Sequence, residues 1–570
     1  MALLTTRRRR SWIVEHMQSY DGVLPLPPSD EQKFSYVERH VWLLNFFAVS
    51  SFAAVAYSTI LFSGLDDALW PFFALLGMAG AGFVLSIQAD LFSRDFDHEE
   101  HRQRVAAWWR APRSYPSVDV FLPICGEQRS VLLNTWHHVL ALDYPRLTVY
   151  CLDDGSDETM RSVAEELGFR YLRRGNPGWF KKAGNLQFAY ENSCGDFILI
   201  LDADFAPRPD FLRETLPYFS AEPGLGIVQT PQFFATSRRQ NWLERGAGAV
   251  QELFYRVVQV SRGQRDAAIC VGTCAVYRRA ALDSNGGTTL IEHSEDIHTG
   301  FDLRRRGWRL RYVPVNLATG LCPDNLSGFF RQQYRWCTGS LSLCTSRKFW
   351  RTKLPVRTRM CYLAGFAYYI LTALAVITAP LIPLTLSIFF PGRIRVGNYL
   401  VLLPALLWLY VVLPLWHRSR FRWETLSVKL TYGWAHAFAI LDLIRGRHMA
   451  WTATGTRKRE HRLLWFRLVA TVWGTGTGLL LIAVLLWQVI RNGHSAVQFA
   501  PMMALALLYL ATNLRLIFPP APGASRSALA SDATNHEAKV CHEADHLPRR
   551  GAGAPRVRAG LALDGAERGV

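Results

Sequence analysis

Six apolar stretches, each long enough to cross a membrane, bracket a polar block and limit what this chain can fold into. Val41–Ser63 and residues 68–89 carry no charge, and beyond the polar block come 360–390, 398–416, 463–490 and 496–518. Each can span a hydrocarbon core of roughly 30 Å, and only a helix satisfies its backbone there without partners. The connector GLDD after the first stretch has no Lys or Arg, whereas the flanks of the pair are rich in both. The positive-inside rule then places residues 1–40 and the polar block that follows Asp90 in the cytoplasm, with both chain ends inside. Arg418, Arg420, Arg422 and the basic segment 445–462 fall on that same side, while Arg393 and Arg395 fall outside. Residues 425–443 mix Lys429, His436 and Asp442 into an apolar background and are expected to lie at the interface. A signal peptide is not expected, because the first apolar run starts late and is too long. Residues 519–570, poor in large apolar side chains, are expected to be disordered.

The net charge of +18 raises the question of nucleic acid. No RNP, zinc-finger or helix-turn-helix pattern supports that partner, and bases beside apolar runs match anionic headgroups instead. Of ten cysteines, all but Cys541 lie between Cys125 and Cys361 without a CxxC pair, so neither a zinc site nor, in a reducing cytoplasm, a disulfide is expected.

Within residues 115–320, strand-like runs alternate with helical spacing. VDVFLPI (118–124), LTVYCLDD (147–154), FRYLRR, FILILDAD and GIVQTPQFF read as strands, and 130–142 and 156–168 read as helices. The alternation predicts a cytoplasmic α/β domain, Rossmann-like, with a mainly parallel sheet and right-handed crossovers. It is inserted in a helical transmembrane region of about six spans. The run FILIL suits a strand buried on both faces and ends on Asp202, Ala203 and Asp204. Open α/β sheets bind ligands at that edge. Two carboxylates one residue apart can share a hard cation, although Asp is also common in turns. Asp153 and Asp154 end another strand, Glu127 follows a third through CGE, and IEHSEDIHTG supplies Glu292, Glu295 and Asp296. Lys182 offers a cation to a phosphate. Beyond 320 the pattern turns amphipathic, with aromatics among bases in FFRQQYRWCTGSLSL.

The ordered set DDG (153–155), KAGN (182–185), DAD (202–204), QTPQFF (229–234), VGT (271–273), ED (295–296) and Q-x-x-R-W at Gln332, Arg335 and Trp336 resembles one known group. It is that of the membrane-embedded, processive family-2 glycosyltransferases, the cellulose synthases and hyaluronan synthases. The likeness runs from about residue 118 to 345, and the flanking topology agrees with it. The resemblance implies a glycosyltransferase domain at 115–320 between two helices (41–92) and an interface segment (321–357). Four further spans would follow in 358–518.

The resemblance also implies roles. Glu127 with Asp153 or Asp154 would hold uridine, and Lys182, Asp202, Gln332 and Arg335 would bind the rest of the nucleotide-sugar. Asp202 and Asp204 would hold Mg²⁺ or Mn²⁺. Gly272, Thr273 and Trp336 would meet the acceptor sugar. Asp296, with Glu295 beside it, would be the catalytic base, although both also sit where a helix N-terminus is expected. The implied reaction is inverting polymerisation of a UDP-sugar, UDP-glucose first, into a β-linked, cellulose-like glucan passed across the plasma (inner) membrane. UDP-N-acetylglucosamine is the alternative donor, and a transporter or channel with a non-catalytic domain is the reading from another class. An accessory export subunit is a further expected partner. The chain departs from the group in three places. PICGE lacks the usual aromatic and Asn, Thr456 stands where cellulose synthases end a gating segment in Lys, and no PilZ-like domain is expected in the tail.

Overall fold

The computed structural model describes residues 24–111, 114–419, 423–447, 449 and 461–518. The expectations for residues 1–23, for WTATGT and for the tail lie outside the described residues.

The polar block folds around β1 (Val118–Ile124), β2 (Leu147–Asp153), β3 (Arg170–Leu172), β4 (Phe197–Ile200), β5 (Phe205–Pro207), β6 (Leu225–Gln229), β7 (Ala275–Arg278), β8 (Arg309–Tyr312) and β9 (Ala318–Gly320). Seven of these form one sheet in the order β3-β2-β1-β4-β7-β6-β8, and β5 pairs with β9 apart from it. β1 is the centre: Val118 pairs in parallel with Leu147 on one side and with Phe197 on the other. Its Val118, Val120 and Leu122 are fully buried, as a strand covered by helices on both faces requires. Helices Arg129–Val139 and Phe211–Ala221 cover one face, with Leu133, Trp136 and Phe211 in the core, and Lys181–Glu191 covers the other with Leu186 and Ala189.

The sheet is mixed. β7 runs antiparallel to both β4 and β6, while β6 and β8 pair in parallel. Sequence patterning did not single β7 out, since AVYR is too short for periodicity to separate strand from helix.

Among the described residues, six helices are long and apolar enough to cross a membrane: Val41–Ser63, Asp67–Leu91, Val356–Phe389, Val396–Trp416, Arg462–Ile490 and Ala496–Ile517. The mixed segment at 425–443 forms helix Glu424–Ile444, largely buried against its neighbours. Two glycines set its close packing: a Cβ on Gly246 would stand 2.6 Å from Val428, and one on Gly433 would stand 2.4 Å from Val376.

Side chains bind the domain to the first helix pair. Arg39, fully buried, donates to Asp95 at 2.9 Å, Ser93 at 3.0 Å and Ser261 at 3.1 Å. Just before it, buried Lys33 pairs with Asp210 at 2.7 Å and Glu214 at 2.6 Å. The end of the polar N-terminal segment therefore docks on the domain, which its composition did not reveal.

Candidate active site

The C-terminal edges of β1, β2 and β4 open into a cavity of about 540 Å³. Glu127, Asp154, Lys182, Asp202, Asp204, Gly272, Glu295, Asp296, Gln332, Arg335 and Trp336 all line it. Asp153 and Thr273 do not, and both hold the wall from behind.

The two aspartates that end β2 do different work. Buried Asp153 accepts from the backbone N–H groups of Gly155 (2.6 Å), Ser156 (3.0 Å) and Asp157 (2.9 Å), and from the Tyr171 hydroxyl (2.6 Å). Its oxygens are taken up in shaping the turn, as Asx turns do. Asp154 faces the cavity, gripped by Arg174, whose Nε lies 2.6 Å away and whose Nη2 reaches the other oxygen. Arg174 is itself buried and also donates to the Lys181 carbonyl at 3.0 Å. Sequence reasoning passed over Arg174, one base among many in FRYLRR.

Asp202 and Asp204 leave β4 in a turn, with the Asp202 N–H held by the Thr273 hydroxyl at 2.9 Å. Lys182 bonds an Asp202 oxygen and the Gly272 carbonyl (2.8 Å), and lies 3.8 Å from Glu295. Burial alone would pull the Lys182 ammonium down; Asp202 and Glu295 together outweigh it and hold its pKa above the usual lysine value. Asp204 has no ion pair among the described residues, and burial, then Asp202, pushes its carboxyl up to about 7. Burial likewise raises Glu127, whose Oε2 accepts from the Cys125 N–H at 2.6 Å.

That elevation has a sign that can be measured. An unfolded Asp releases its proton near pH ~4, and Asp204 in the fold releases it near 7. Between those values the fold holds the extra proton, so raising the pH through that window removes stability. Asp204→Asn is therefore expected to raise the thermal midpoint of the metal-free chain at pH 8 and to change it little below about pH 4. A midpoint at pH 8 equal to or below that of the unsubstituted chain would contradict this.

Gln229 and Gln232, in the QTPQFF segment, fix the VGT loop. The buried Gln229 side chain donates to the Thr273 carbonyl at 2.8 Å and accepts from the Val271 N–H at 3.0 Å, while Gln232 donates to the Val271 carbonyl at 2.9 Å. Gly272 has φ +78°, and a Cβ there would come 2.9 Å from Asp296 Oδ2. Only glycine lets the loop lie this close to the carboxylate.

Asp296 stands in the first turn of helix Glu295–Arg305 and accepts the Ile297 N–H at 2.8 Å. Burial, and next the Glu295 charge, hold its carboxyl above the ordinary range. The preceding Ser294 has φ +57° and is pressed against helix Leu326–Cys344, where a Cβ on Gly339 would overlap its hydroxyl at 1.8 Å. That helix is capped by Asn325, whose side chain accepts the Gly328 N–H at 2.8 Å. Gln332, Arg335 and Trp336, at positions i, i+3 and i+4, share its cavity-facing side. Arg335 makes no hydrogen bond or ion pair among the described residues, and burial draws its pKa down.

Carboxylates from three strand ends and a helix N-terminus thus face Arg335, a guanidinium without an ion pair among the described residues. That combination suits an anion accompanied by a hard cation. No group of three or more His, Cys, Asp or Glu that could hold a metal occurs among the described residues, so Asp202 and Asp204 would need further ligands from a substrate.

Comparisons with known proteins place a family likeness on the stretch that builds this fold and cavity. Residues 116–339 match the family described as glycosyltransferase like family 2, and residues 258–433 match the cellulose synthase family. The chain is 34% identical over 263 residues to the UDP-forming cellulose synthase catalytic subunit of Xanthomonas axonopodis pv. citri (strain 306), covering 45% of this chain and 36% of that protein. It is 30% identical over 335 residues to the UDP-forming cellulose synthase 1 catalytic subunit of Komagataeibacter xylinus, covering 57% and 43%. The chain spans less than half the length of these curated relatives. Among solved structures it is similar to the mannosyltransferase PcManGT from Pyrobaculum calidifontis in complex with GDP-Man and Mn²⁺, with a TM-score of 0.44 and 18% identity over 65% of this chain and all of that one. Successive stretches of the chain are thus similar to the glycosyltransferase like family 2 and to the cellulose synthase family.

Proposed function

We propose that the chain is a processive, inverting hexosyltransferase. It adds glucose from UDP-glucose to a growing β-glucan on the cytoplasmic side and passes the polymer between its membrane helices. The observation that carries this reading is the convergence, in one cavity, of Asp202 and Asp204, of Arg335, which has no ion pair among the described residues, and of Asp296, whose carboxyl pKa is raised by burial and by Glu295. Glu127 and the Arg174-held Asp154 would hold the uridine, a role supported by their place on the cavity wall. Asp202 and Asp204 fit a divalent cation: burial first, and then the charge of Asp202, raise the Asp204 carboxyl, and a bound cation offsets both. Bound there, Mg²⁺ or Mn²⁺ would neutralise charge on the departing diphosphate. Arg335 offers two parallel N–H bonds to phosphate oxygens, with Gln332 one turn earlier. Trp336 presents an aromatic face to the acceptor sugar.

Asp296 takes the proton from the acceptor hydroxyl as its oxygen bonds to the anomeric carbon. The bond to UDP breaks on the opposite face, which inverts an α-linked donor to a β-linkage. A carboxyl whose pKa is raised above the ordinary range is better matched to this task near neutral pH.

Incorporation of label from a panel of UDP-sugars, followed by linkage-specific hydrolases, tests donor and bond together. UDP-glucose giving a β-glucan supports the reading, and exclusive use of UDP-N-acetylglucosamine would replace the donor. Chelation of divalent ions is expected to reduce UDP release to background, with recovery on adding Mg²⁺ or Mn²⁺. Mn²⁺ is expected to raise the thermal midpoint of the unsubstituted chain and to have little effect on Asp204→Asn. Full activity in chelator would remove the cation from the account.

A further inference from the structure

Helix Leu326–Cys344 has a second face, turned away from the cavity, on which Phe330, Tyr334, Cys337 and Leu341 are buried. Tyr334 directly precedes Arg335 in sequence and donates its hydroxyl to Asp442 Oδ2 at 2.7 Å. Asp442, only 2% exposed, belongs to helix Glu424–Ile444. Its other oxygen accepts from Arg462, at the start of the helical segment Arg462–Ile490. One buried carboxylate therefore ties two consecutive helices to a third that lies 108 residues away along the chain.

The same helices meet again in an aromatic contact. Phe438 stacks on Phe466 with centroids 4.0 Å apart and planes 10° apart, Phe330 tilts against Phe466 at 5.9 Å, and the Arg462 guanidinium lies 5.4 Å over the Phe466 ring. The rings alone would bury apolar area there. An ion pair with one partner buried adds little net stability over apolar packing of the same shape; one of the attested uses of such pairs is to select one register among several.

We propose that Asp442 is a positioning residue for sugar transfer: through Tyr334 it fixes the rotation of the helix that carries Arg335 and Trp336, and through Arg462 it locks that setting to the following helix. The inference rests on the reading of Arg335 and Trp336 as contacts to donor and acceptor. Neither Tyr334 nor Asp442 lines the cavity, so their effect is transmitted by the helix. A displacement of about 1 Å at a reacting group can lower a rate on the order of 100-fold.

The test uses the full chain in lipid vesicles supplied with UDP-glucose, reading UDP release, donor KM and thermal midpoint for Tyr334→Phe and Arg462→Gln, each of which removes one arm of the clamp. Tyr334→Phe is expected to lower kcat by about tenfold or more, while its thermal midpoint falls by no more than about 4 °C. Its effect is expected to shrink in an Arg335→Lys background, because residues acting through one another are not additive. Arg462→Gln, altering a partly exposed side chain, is expected to fold normally and to lower kcat in the same direction. A normal kcat and KM in Tyr334→Phe, rate losses that add in full to those of Arg335→Lys, or losses that merely follow the folded fraction would each overturn the proposal. UDP release by the unsubstituted chain, measured alongside, separates the two ideas. Its absence with every UDP-sugar overturns the transferase reading and the clamp with it, whereas its presence beside an unimpaired Tyr334→Phe overturns the clamp alone.

Discussion

Asp296→Asn is expected to slow UDP release from a UDP-sugar by about 10²–10⁴-fold, the usual contribution of a positioned general base, while UDP affinity changes by less than about twofold. The separation follows from the geometry. Asp296 lies at the helix N-terminus against Gly272, whereas the groups suited to the nucleotide, Glu127 and Asp154, come from the other strand ends. The amide can still accept the Ile297 N–H, so the local backbone keeps its hydrogen bond. The pH profile adds a second reading. The base must be ionised to work, so the rate of the unsubstituted enzyme rises with pH as Asp296 loses its proton. Burial and Glu295 place that rise above the pH ~4 of an ordinary aspartate. Glu295→Gln removes the neighbouring charge and is expected to move the rise toward lower pH. An unchanged profile in Glu295→Gln, or lost UDP binding in Asp296→Asn, would assign the pair to the nucleotide instead.

Arg335→Ala is expected to reduce kcat/KM for the donor by about 10²–10³-fold, the scale seen when one preorganised donor to developing negative charge is removed. Arg335 stands among Glu295, Asp202 and Asp296 without an ion pair of its own among the described residues, so its guanidinium is available to an incoming diphosphate. Arg335→Lys is expected to recover only part of the loss, because an ammonium cannot make the paired planar contact. Trp336→Ala, one residue on, is expected to spare donor-dependent UDP release more than chain elongation. Equal loss of both would place Trp336 on the donor side of the site with Arg335.

Much of this architecture was legible in the sequence because it depends on periodicity. Uncharged runs longer than a bilayer is thick have one stable form, and FILIL followed by Asp-Ala-Asp places two carboxylates at a sheet edge by spacing alone. Local patterns did not show which polar groups face inward. Asp153 and Asp154 are adjacent and chemically identical, yet the first closes its own turn and the second meets Arg174, distant along the chain. The antiparallel β7 was hidden because so short a run carries no clear period. Asp442 reads as an interfacial charge and Lys33 carries no signal of its own, whereas the fold buries each beside partners more than a hundred residues away in Asp210, Glu214 and Tyr334. Such pairings are set by tertiary contact, and a single chain of letters does not display them.

The most direct test of the central claim is UDP release by the purified chain in sealed vesicles with UDP-glucose and Mg²⁺, read together with the linkage of any polymer formed. The account predicts metal-dependent UDP release matched by a β-linked glucan, with both abolished in Asp296→Asn. Ion or solute flux without UDP release from any UDP-sugar would contradict it and return the chain to the transporter class.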